Sequence, residues 1–330
     1  MNTAKIELHL HLDGSLELPW AYEKSIKEGV IPRETTFEEY YNMLYNTKYA
    51  SREDGFRKFE LTCAVMQTRE NLIESIYNLI KQLNDEGLVY AEIRYASQQH
   101  TLKGLSQADT VDALCEGIRL AKKDFPDIEI GLLNCFMHKG PDANFNMKEN
   151  MEALEASMKY LGKGLVGMDL AGYENNGDYS LYKPLFDKCK EYGMPLTAHA
   201  GEMGNGENVI KAINMGANRI GHGVHCVDND EWLREVVKTQ IPLEVCVSSN
   251  VKAERNYAAH PVRKLIEAGA KVTLNSDNMM FSRTCLKYEH YILISIGVTE
   301  LQLWQTTLYA LDAAFCSEET KAKIRAKLGV

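Results

Sequence analysis

Lys5-Ile-Glu-Leu-His-Leu-His-Leu-Asp-Gly14 is a short apolar run that stops at an Asp-Gly turn. Such a run bounded by a turn predicts a buried β-strand near the start of the chain. His9 and His11 are two residues apart, so their imidazoles leave the same face at the strand's carboxyl end. A lone histidine in an apolar run is usually a buried structural residue, whereas a pair placed here favours metal ligation.

Seven further apolar runs follow this one, and helical stretches with one apolar face separate them. This alternation indicates parallel strands joined by crossover helices. The predicted strands are 5–10, 89–94, 128–136, 165–170, 195–199, 219–222, 243–247 and 271–274. Because eight such units close a barrel, the sequence predicts the α/β class and a (β/α)8 TIM barrel.

The connection between the first two predicted strands is much longer than the others and itself reads as several helices. It predicts a helical insertion, about residues 15–86, within a single domain that spans 1–330. An insertion at the carboxyl end of a barrel strand lies beside the usual active site, so it is a candidate lid. Phe56, Phe59 and Leu61 are candidates to face a substrate there, although ordinary helix packing explains them better.

Composition limits the kind of partner that the protein can bind. The net charge is −9, and the Lys and Arg residues are scattered instead of forming a basic stripe, which argues against nucleic acid. The N-terminus has no signal-peptide pattern, and no apolar stretch approaches the ~20 residues that a bilayer requires. A soluble, cytoplasmic protein without a membrane partner is expected, and its oligomeric state is left open.

Further polar side chains mark the carboxyl ends of three more predicted strands. The fifth strand ends at His199 with Glu202 three residues on, the sixth ends at His222, and the eighth leads to Asp277 and Asn278. So many buried polar groups need partners, which packing alone does not supply. A functional site at the C-terminal face of the barrel is therefore predicted.

The end of the fourth predicted strand indicates how many metal ions the site can hold. It reads Met168-Asp-Leu-Ala-Gly172, with no lysine that could bridge two ions, so a mononuclear site is predicted. Mixed imidazole and carboxylate ligands suit Zn²⁺, with Fe or Co as alternatives. A single Zn²⁺ with an open position lowers the pKa of water to about 7, which provides hydroxide at neutral pH.

Several motifs resemble the adenosine deaminase family, the adenosine/AMP deaminase branch of the metal-dependent amidohydrolase superfamily. They keep the family's order over essentially the whole chain. The motifs are Glu7-Leu-His-Leu-His-Leu-Asp-Gly14, Met168-Asp-Leu-Ala-Gly-Tyr-Glu174, His199-Ala-Gly-Glu202, Arg219-Ile-Gly-His-Gly223, Leu243-Glu-Val-Cys246, His260-Pro-Val-Arg-Lys264 and Leu274-Asn-Ser-Asp277.

The resemblance implies a role for each candidate residue. The implied ligands of one Zn²⁺ per chain are His9, His11, His199 and Asp277. Glu202 would give a proton to purine N1, and His222 would orient or deprotonate the attacking water. The implied substrate contacts are His11, Asp13 at the ribose 5′-hydroxyl, Gly172 through its backbone at N3, and Asn278 at N7.

Three departures from the family pattern bear on the substrate. Asn278 replaces a second Asp that contacts N7, but an amide can donate the same hydrogen bond. Val247 stands where a Pro often follows Glu-Val-Cys in the family, and Ala96-Ser97 stands where Ser-Pro is frequent, which suggests a divergent branch. Asp13 is the residue of relatives that act on nucleosides, since those acting on free adenine tend to carry Glu and those acting on N6-methyl-AMP tend to carry Asn.

These observations predict zinc-dependent hydrolytic deamination of a purine nucleoside. Adenosine and deoxyadenosine would give inosine and deoxyinosine plus ammonia. One alternative is a deaminase of a 5′-substituted adenosine, because one altered polar contact can redirect specificity. Others are a mononuclear amidohydrolase for another aminated heterocycle, and a nucleoside-binding or zinc-stabilised interaction protein that keeps the fold without catalysis.

Overall fold

A closed parallel barrel forms the centre of the molecule. The computed structural model describes residues 5–45, 58–140, 144–174, 178–251 and 255–330. Within them, eight parallel strands pair in chain order, which confirms the predicted TIM barrel. They are β1 Ile6–His11, β2 Tyr90–Tyr95, β3 Glu129–His138, β4 Leu165–Gly172, β5 Leu196–Ala200, β6 Arg219–His222, β7 Leu243–Val245 and β8 Val272–Leu274.

The ring closes between β1 and the residues just after β8. The His11 N–H donates to the Asp277 carbonyl, and the Asp277 N–H donates to the His9 carbonyl, each over 2.8 Å. These two bonds continue the sheet past Leu274, where β8 ends. Closure of the barrel therefore places Asp277 directly beside the two histidines of β1.

Helices surround the barrel and also fill the long first connection. The helices are α1 Leu18–Lys27, α2 Phe37–Tyr45, α3 Lys58–Val65, α4 Arg69–Asp85, α5 Gln107–Asp124, α6 Met147–Met158, α7 Lys183–Glu191, α8 Glu207–Met215, α9 Asp230–Thr239, α10 Val247–Val251, α11 Val262–Glu267, α12 Met279–Ser282, α13 Leu286–Ser295, α14 Glu300–Ala313 and α15 Glu318–Leu328. In the described part of the chain, none of them is both long and apolar enough to cross a bilayer.

The helix α4 shows how sequence and packing agree in this outer layer. The Thr68 side chain accepts the Asn71 N–H over 3.2 Å, and this satisfies one of the free donors at the helix start. Apolar side chains then recur on one face, and Leu72, Ile76 and Leu79 are fully buried. The resulting face packs against the neighbouring helices instead of facing solvent.

The helical insertion after β1 contains all three side chains proposed to face a substrate, and the structure describes two of them. Phe59 packs edge-to-face on Phe281 with ring centroids 4.7 Å apart, and Leu61 is half-buried against the main core. Phe56 lies outside the described residues. Both described side chains thus have packing roles, while the action of the insertion as a lid and the single-domain assignment stay predictions.

The interior of the barrel contains a buried network of charges below the site. Arg219 binds both Glu92 and Glu244, and Arg94 binds both Glu244 and Asp169, all of them at most 1% exposed. Each carboxylate has a cationic partner, so the burial is compensated. Loss of one partner would leave an unpaired buried charge, which typically costs about 3–5 kcal/mol.

Candidate active site

Four side chains converge at the C-terminal face of the barrel. The Nε2 atoms of His11 and His199 lie 3.2 Å apart. Oδ1 of Asp277 lies 3.4 Å from His11 Nε2 and 3.5 Å from His9 Nε2. The three histidines offer ligand atoms within 4.8 Å of one another. The structure therefore brings together all four side chains that the sequence nominated as metal ligands.

Two carboxylates fix the far side of these imidazoles. His9 Nδ1 lies 2.7 Å from Glu244 Oε2, and His199 Nδ1 lies 3.0 Å from Asp169 Oδ2. Each Nδ1–H therefore donates to a carboxylate, which leaves the Nε2 lone pair for the cluster. Carboxylate partners of this kind commonly orient histidines that bind metals. Arg94 bridges the two carboxylates at 2.9 Å each and so couples the two histidines.

These atoms fit a metal ion. Among the described residues, His9 Nε2 is buried without a hydrogen-bond partner, although a buried polar atom normally has one. Burial holds the pKa of His11 well below its usual range, so this ligand is neutral. Burial raises the pKa of Asp277, but the neighbouring imidazoles of His9, His222 and His11 outweigh this effect and hold the pKa well below its usual range, so the carboxylate is ionised. A carboxylate beside several imidazole nitrogens suits a divalent cation.

Two residues at the site have left-handed backbone conformations, which residues other than glycine rarely adopt. His222 and Asp277 both have φ 61°. Such conformations cost about 1–3 kcal/mol and cluster at functional sites. At Asp277 the strain is held by the bonds that close the barrel and by the Ser249 hydroxyl, which donates to Oδ2. The backbone thereby turns this carboxylate toward the histidines.

Glu202 and His222 stand next to each other beside this cluster. His222 Nε2 lies 3.8 Å from Glu202 Oε2, and the Glu202 side chain is 13% exposed. In the described residues, Glu202 belongs to neither group that could hold a metal. The other such group joins His9 and His222 to Cys246, whose thiol pKa is raised well above its usual range by burial. That thiol is a poor ligand at neutral pH.

A hydrogen-bond chain reaches His222 from its far side. The Val262 N–H donates to His260 Nδ1 over 3.1 Å, so the proton of this imidazole is on Nε2. Burial lowers the pKa of His260 to about 4, which keeps the ring neutral. His260 Nε2 lies 3.2 Å from Asn250 Oδ1, and Asn250 Nδ2 lies 3.2 Å from His222 Nδ1. Asn250 thus donates to His222 Nδ1, leaving Nε2 to carry the proton.

Asp13 lies just past β1 with one carboxylate oxygen unpaired. It is 5% exposed, and within the part of the chain that the structure describes its Oδ1 has no hydrogen-bond partner. Oδ2 lies 3.7 Å from Cys63 Sγ. Burial raises the pKa of Asp13 to about 6, so it is mostly ionised at neutral pH. A buried, ionised oxygen without a donor is suited to bind a hydroxyl group.

A larger residue would not fit at Gly172, nor at Gly14, which lies against Asn278. Gly172 ends β4 with φ 107°, and a Cβ there would lie 2.7 Å from the His138 carbonyl. A Cβ at Gly14 would lie 1.7 Å from Asn278 Oδ1, so the amide oxygen of Asn278 faces that glycine. The nitrogen of the same amide is then the group that can address a ligand.

Comparison with known proteins agrees with this architecture. An eight-stranded parallel barrel with polar side chains clustered at its C-terminal face has the usual arrangement of a barrel enzyme. A family model described as adenosine deaminase matches residues 4–329. The adenosine deaminase of Haemophilus ducreyi is 34% identical over 332 residues, which cover 98% of this chain and 95% of the relative. The chain belongs to the adenosine deaminase family, whose members are hydrolytic deaminases.

Solved structures show the same fold at lower sequence identity. The adenine deaminase of Arthrobacter aurescens superposes with a TM-score of 0.85 at 21% identity and covers 99% of both chains. An amidohydrolase of Burkholderia ambifaria with bound Zn has a TM-score of 0.85 at 22% identity, covering 99% of this chain and 90% of that one. These likenesses confirm the barrel and, at such identity, nothing finer.

Proposed function

We propose that this family member deaminates a purine nucleoside, with adenosine and deoxyadenosine as substrates, and that it uses one Zn²⁺ per chain. The observation that carries the proposal is the convergence of three imidazoles and Asp277 beside Glu202. Two of the imidazoles have Nδ1 fixed by a carboxylate, which prepares Nε2 to bind a cation. Relatives named adenosine deaminase support the choice of substrate.

The metal would be held by His9, His11, His199 and Asp277. When bound, Zn²⁺ provides hydroxide at neutral pH by lowering the pKa of water to about 7. The water oxygen bonds to C6 of the purine and the bond from C6 to the amino nitrogen breaks. The two water protons account for the proton that N1 gains and for the third proton of the released ammonia. As the bond forms, negative charge develops on the ring, so N1 must receive a proton. Glu202 in its protonated form is the donor.

His222 has two candidate roles, and its hydrogen bonds distinguish between them. Asn250 donates to Nδ1, so in the neutral ring the proton is on Nε2, the atom 3.8 Å from Glu202. An Nε2 that already carries a proton can donate to the attacking water but cannot remove its proton. The chain of bonds through His260 and Asn250 therefore favours orientation of the water over its deprotonation.

Asp13→Ala is expected to weaken adenosine turnover through the sugar. We propose that Oδ1 of Asp13 accepts the ribose 5′-hydroxyl, and a hydrogen bond to a charged group contributes about 1.5–3 kcal/mol. The kcat/KM for adenosine should therefore fall roughly 10- to 100-fold, while 5′-deoxyadenosine should lose little. Steady-state kinetics with both nucleosides measure this. Equal losses with the two substrates would place Asp13 elsewhere in the mechanism.

Asn278 is proposed to donate its amide to purine N7. In 7-deazaadenosine that acceptor is replaced by carbon, and a neutral hydrogen bond contributes about 0.5–1.5 kcal/mol, so kcat/KM should fall about 2- to 10-fold. Asn278→Asp should retain activity with adenosine if a protonated acid can make the same bond. Equal turnover of adenosine and 7-deazaadenosine by the wild type would exclude this contact.

A substrate panel tests the proposed function. Ammonia release is measured with adenosine, deoxyadenosine, methylthioadenosine and adenine, and the first two should give the highest kcat/KM. A preference for methylthioadenosine would support the alternative of a 5′-substituted substrate. If free adenine is the best substrate, Asp13 does not select for the ribose. Nucleoside binding without ammonia from any of the four would support a non-catalytic role.

A further inference from the structure

The loop that carries Glu202 lacks regular secondary structure. It spans residues 201–206 between β5 and α8, and Gly201 and Gly204 both have positive φ, 65° and 99°. Glycine-rich segments have many accessible backbone conformations, so such a loop does not fix a side chain by itself. A group that donates a proton to one ring nitrogen must nevertheless be held to within a fraction of an ångström.

One buried carboxylate binds this loop on both sides of Glu202. Glu174, two residues past β4 and 1% exposed, accepts the Gly201 N–H on Oε2 over 2.7 Å and the Met203 N–H on Oε1. Asn208 of α8 approaches the same Oε2 at 3.4 Å. The two oxygens of a single carboxylate thus bind the backbone immediately before and immediately after Glu202.

We propose that Glu174 is the positioning residue for Glu202. This inference rests on the proposed role of Glu202 as the proton donor to N1. Glu174 contacts the backbone of the loop and holds the acid in register with the purine. A carboxylate suits this task because it is an acceptor at both oxygens, whereas an amide offers one acceptor and one donor.

Glu174→Gln is the variant that tests the role. Gln has nearly the same shape, but its NH₂ would face one of the two backbone N–H groups, so one of the bonds is lost. Since a misplacement of about 1 Å can cost 10²-fold in rate, kcat should fall about 10- to 100-fold. The KM should stay within about threefold, and the metal content should not change. Asp178→Asn is the matched control, because Asp178 accepts a backbone N–H of Ser180 on the same β4–α7 connection.

A double-mutant cycle separates positioning from a general structural role. If Glu174 acts only through Glu202, Glu174→Gln should lower the residual kcat of Glu202→Gln by less than about threefold. A full additional loss of 10- to 100-fold in that background would overturn the proposal. If Glu202→Gln by itself keeps wild-type turnover, the proposed acid is wrong, which is a different failure.

Hydrogen exchange tests the contacts directly. In the wild-type protein, the Gly201 and Met203 amides should exchange at least about tenfold more slowly than the Gly204 amide of the same loop. Glu174→Asp, which keeps the charge on a shorter side chain, should give intermediate exchange and an intermediate kcat. Exchange of Gly201 and Met203 as fast as that of Gly204 would show that Glu174 does not hold the loop.

Discussion

Glu202→Gln is expected to retain its metal and its affinity for nucleoside while kcat falls about 10²- to 10⁴-fold. Glu202 lies beside the proposed ligand set without belonging to a metal-binding group among the described residues. Gln keeps the size and can still hydrogen-bond N1, but it has no acidic proton to give. General acid catalysis typically contributes a factor of this size. The kinetics should be measured together with the zinc content of the same preparation.

The exposed Glu207, which begins α8 five residues further on, provides a control for this substitution. Glu207→Gln should leave both kcat and metal content unchanged. Loss of metal from Glu202→Gln would make Glu202 a ligand and the ligand set wrong. Turnover of that variant within about threefold of the wild type would mean that another group protonates N1.

His11→Ala is expected to abolish both metal binding and turnover. Its Nε2 lies 3.2 Å from His199 Nε2 and 3.4 Å from Asp277 Oδ1, so its loss opens the centre of the ligand set. Elemental analysis should find about one zinc per chain in the wild type and much less than one in the variant. His225→Ala is the control, because His225 is a half-buried histidine paired with Asp228 and belongs to neither metal-binding group among the described residues.

Chelation of the wild-type protein gives the same result without a mutation. Removal of the metal should eliminate turnover, and added Zn²⁺ should restore it. Two zinc ions per chain would contradict the mononuclear site. Full turnover of the metal-free protein would contradict a metal-dependent mechanism altogether.

The barrel could be predicted from the sequence because its strands are short apolar runs with clear ends. The strand at Arg219–His222 has the predicted bounds, and the others shift at their ends by one or two residues. At Val247 the type of secondary structure differs, because the sequence predicts a strand there and the structure has the start of α10. Local pattern fixes where an apolar run lies, whereas hydrogen bonding to neighbours decides where the strand ends.

The proposed metal ligands could be predicted for a similar reason. His9, His11 and His199 lie within or at the end of strands, and the carboxyl ends of parallel strands meet at one face of a barrel. The same pattern does not identify the carboxylates that hydrogen-bond to these histidines. Glu244 binds His9 across 235 residues of sequence, and Asp169 binds His199 across 30 residues. A charged residue inside an apolar strand is the only local sign of such a contact.

The contacts of Asn250 and Glu174 could not be predicted from the sequence. Both lie in connections after strands, where the backbone path is set by tertiary contacts instead of by periodicity. Asn250 of α10 contacts His222 at the end of β6, and Glu174, two residues past β4, contacts a loop that follows β5. Glu174 belongs to the motif at 168–174 and Asn250 to none of the motifs, and the atoms that both residues bind could be identified only in three dimensions.

The chemistry itself can be tested most directly by the fate of oxygen from water. The purified protein is incubated with adenosine in H₂¹⁸O, and the purine product and ammonia are quantified by mass spectrometry and an enzymatic assay. Hydrolytic deamination predicts inosine with one ¹⁸O at C6 and one ammonia for each adenosine consumed. Release of adenine, or an inosine product without ¹⁸O, would contradict the proposed reaction.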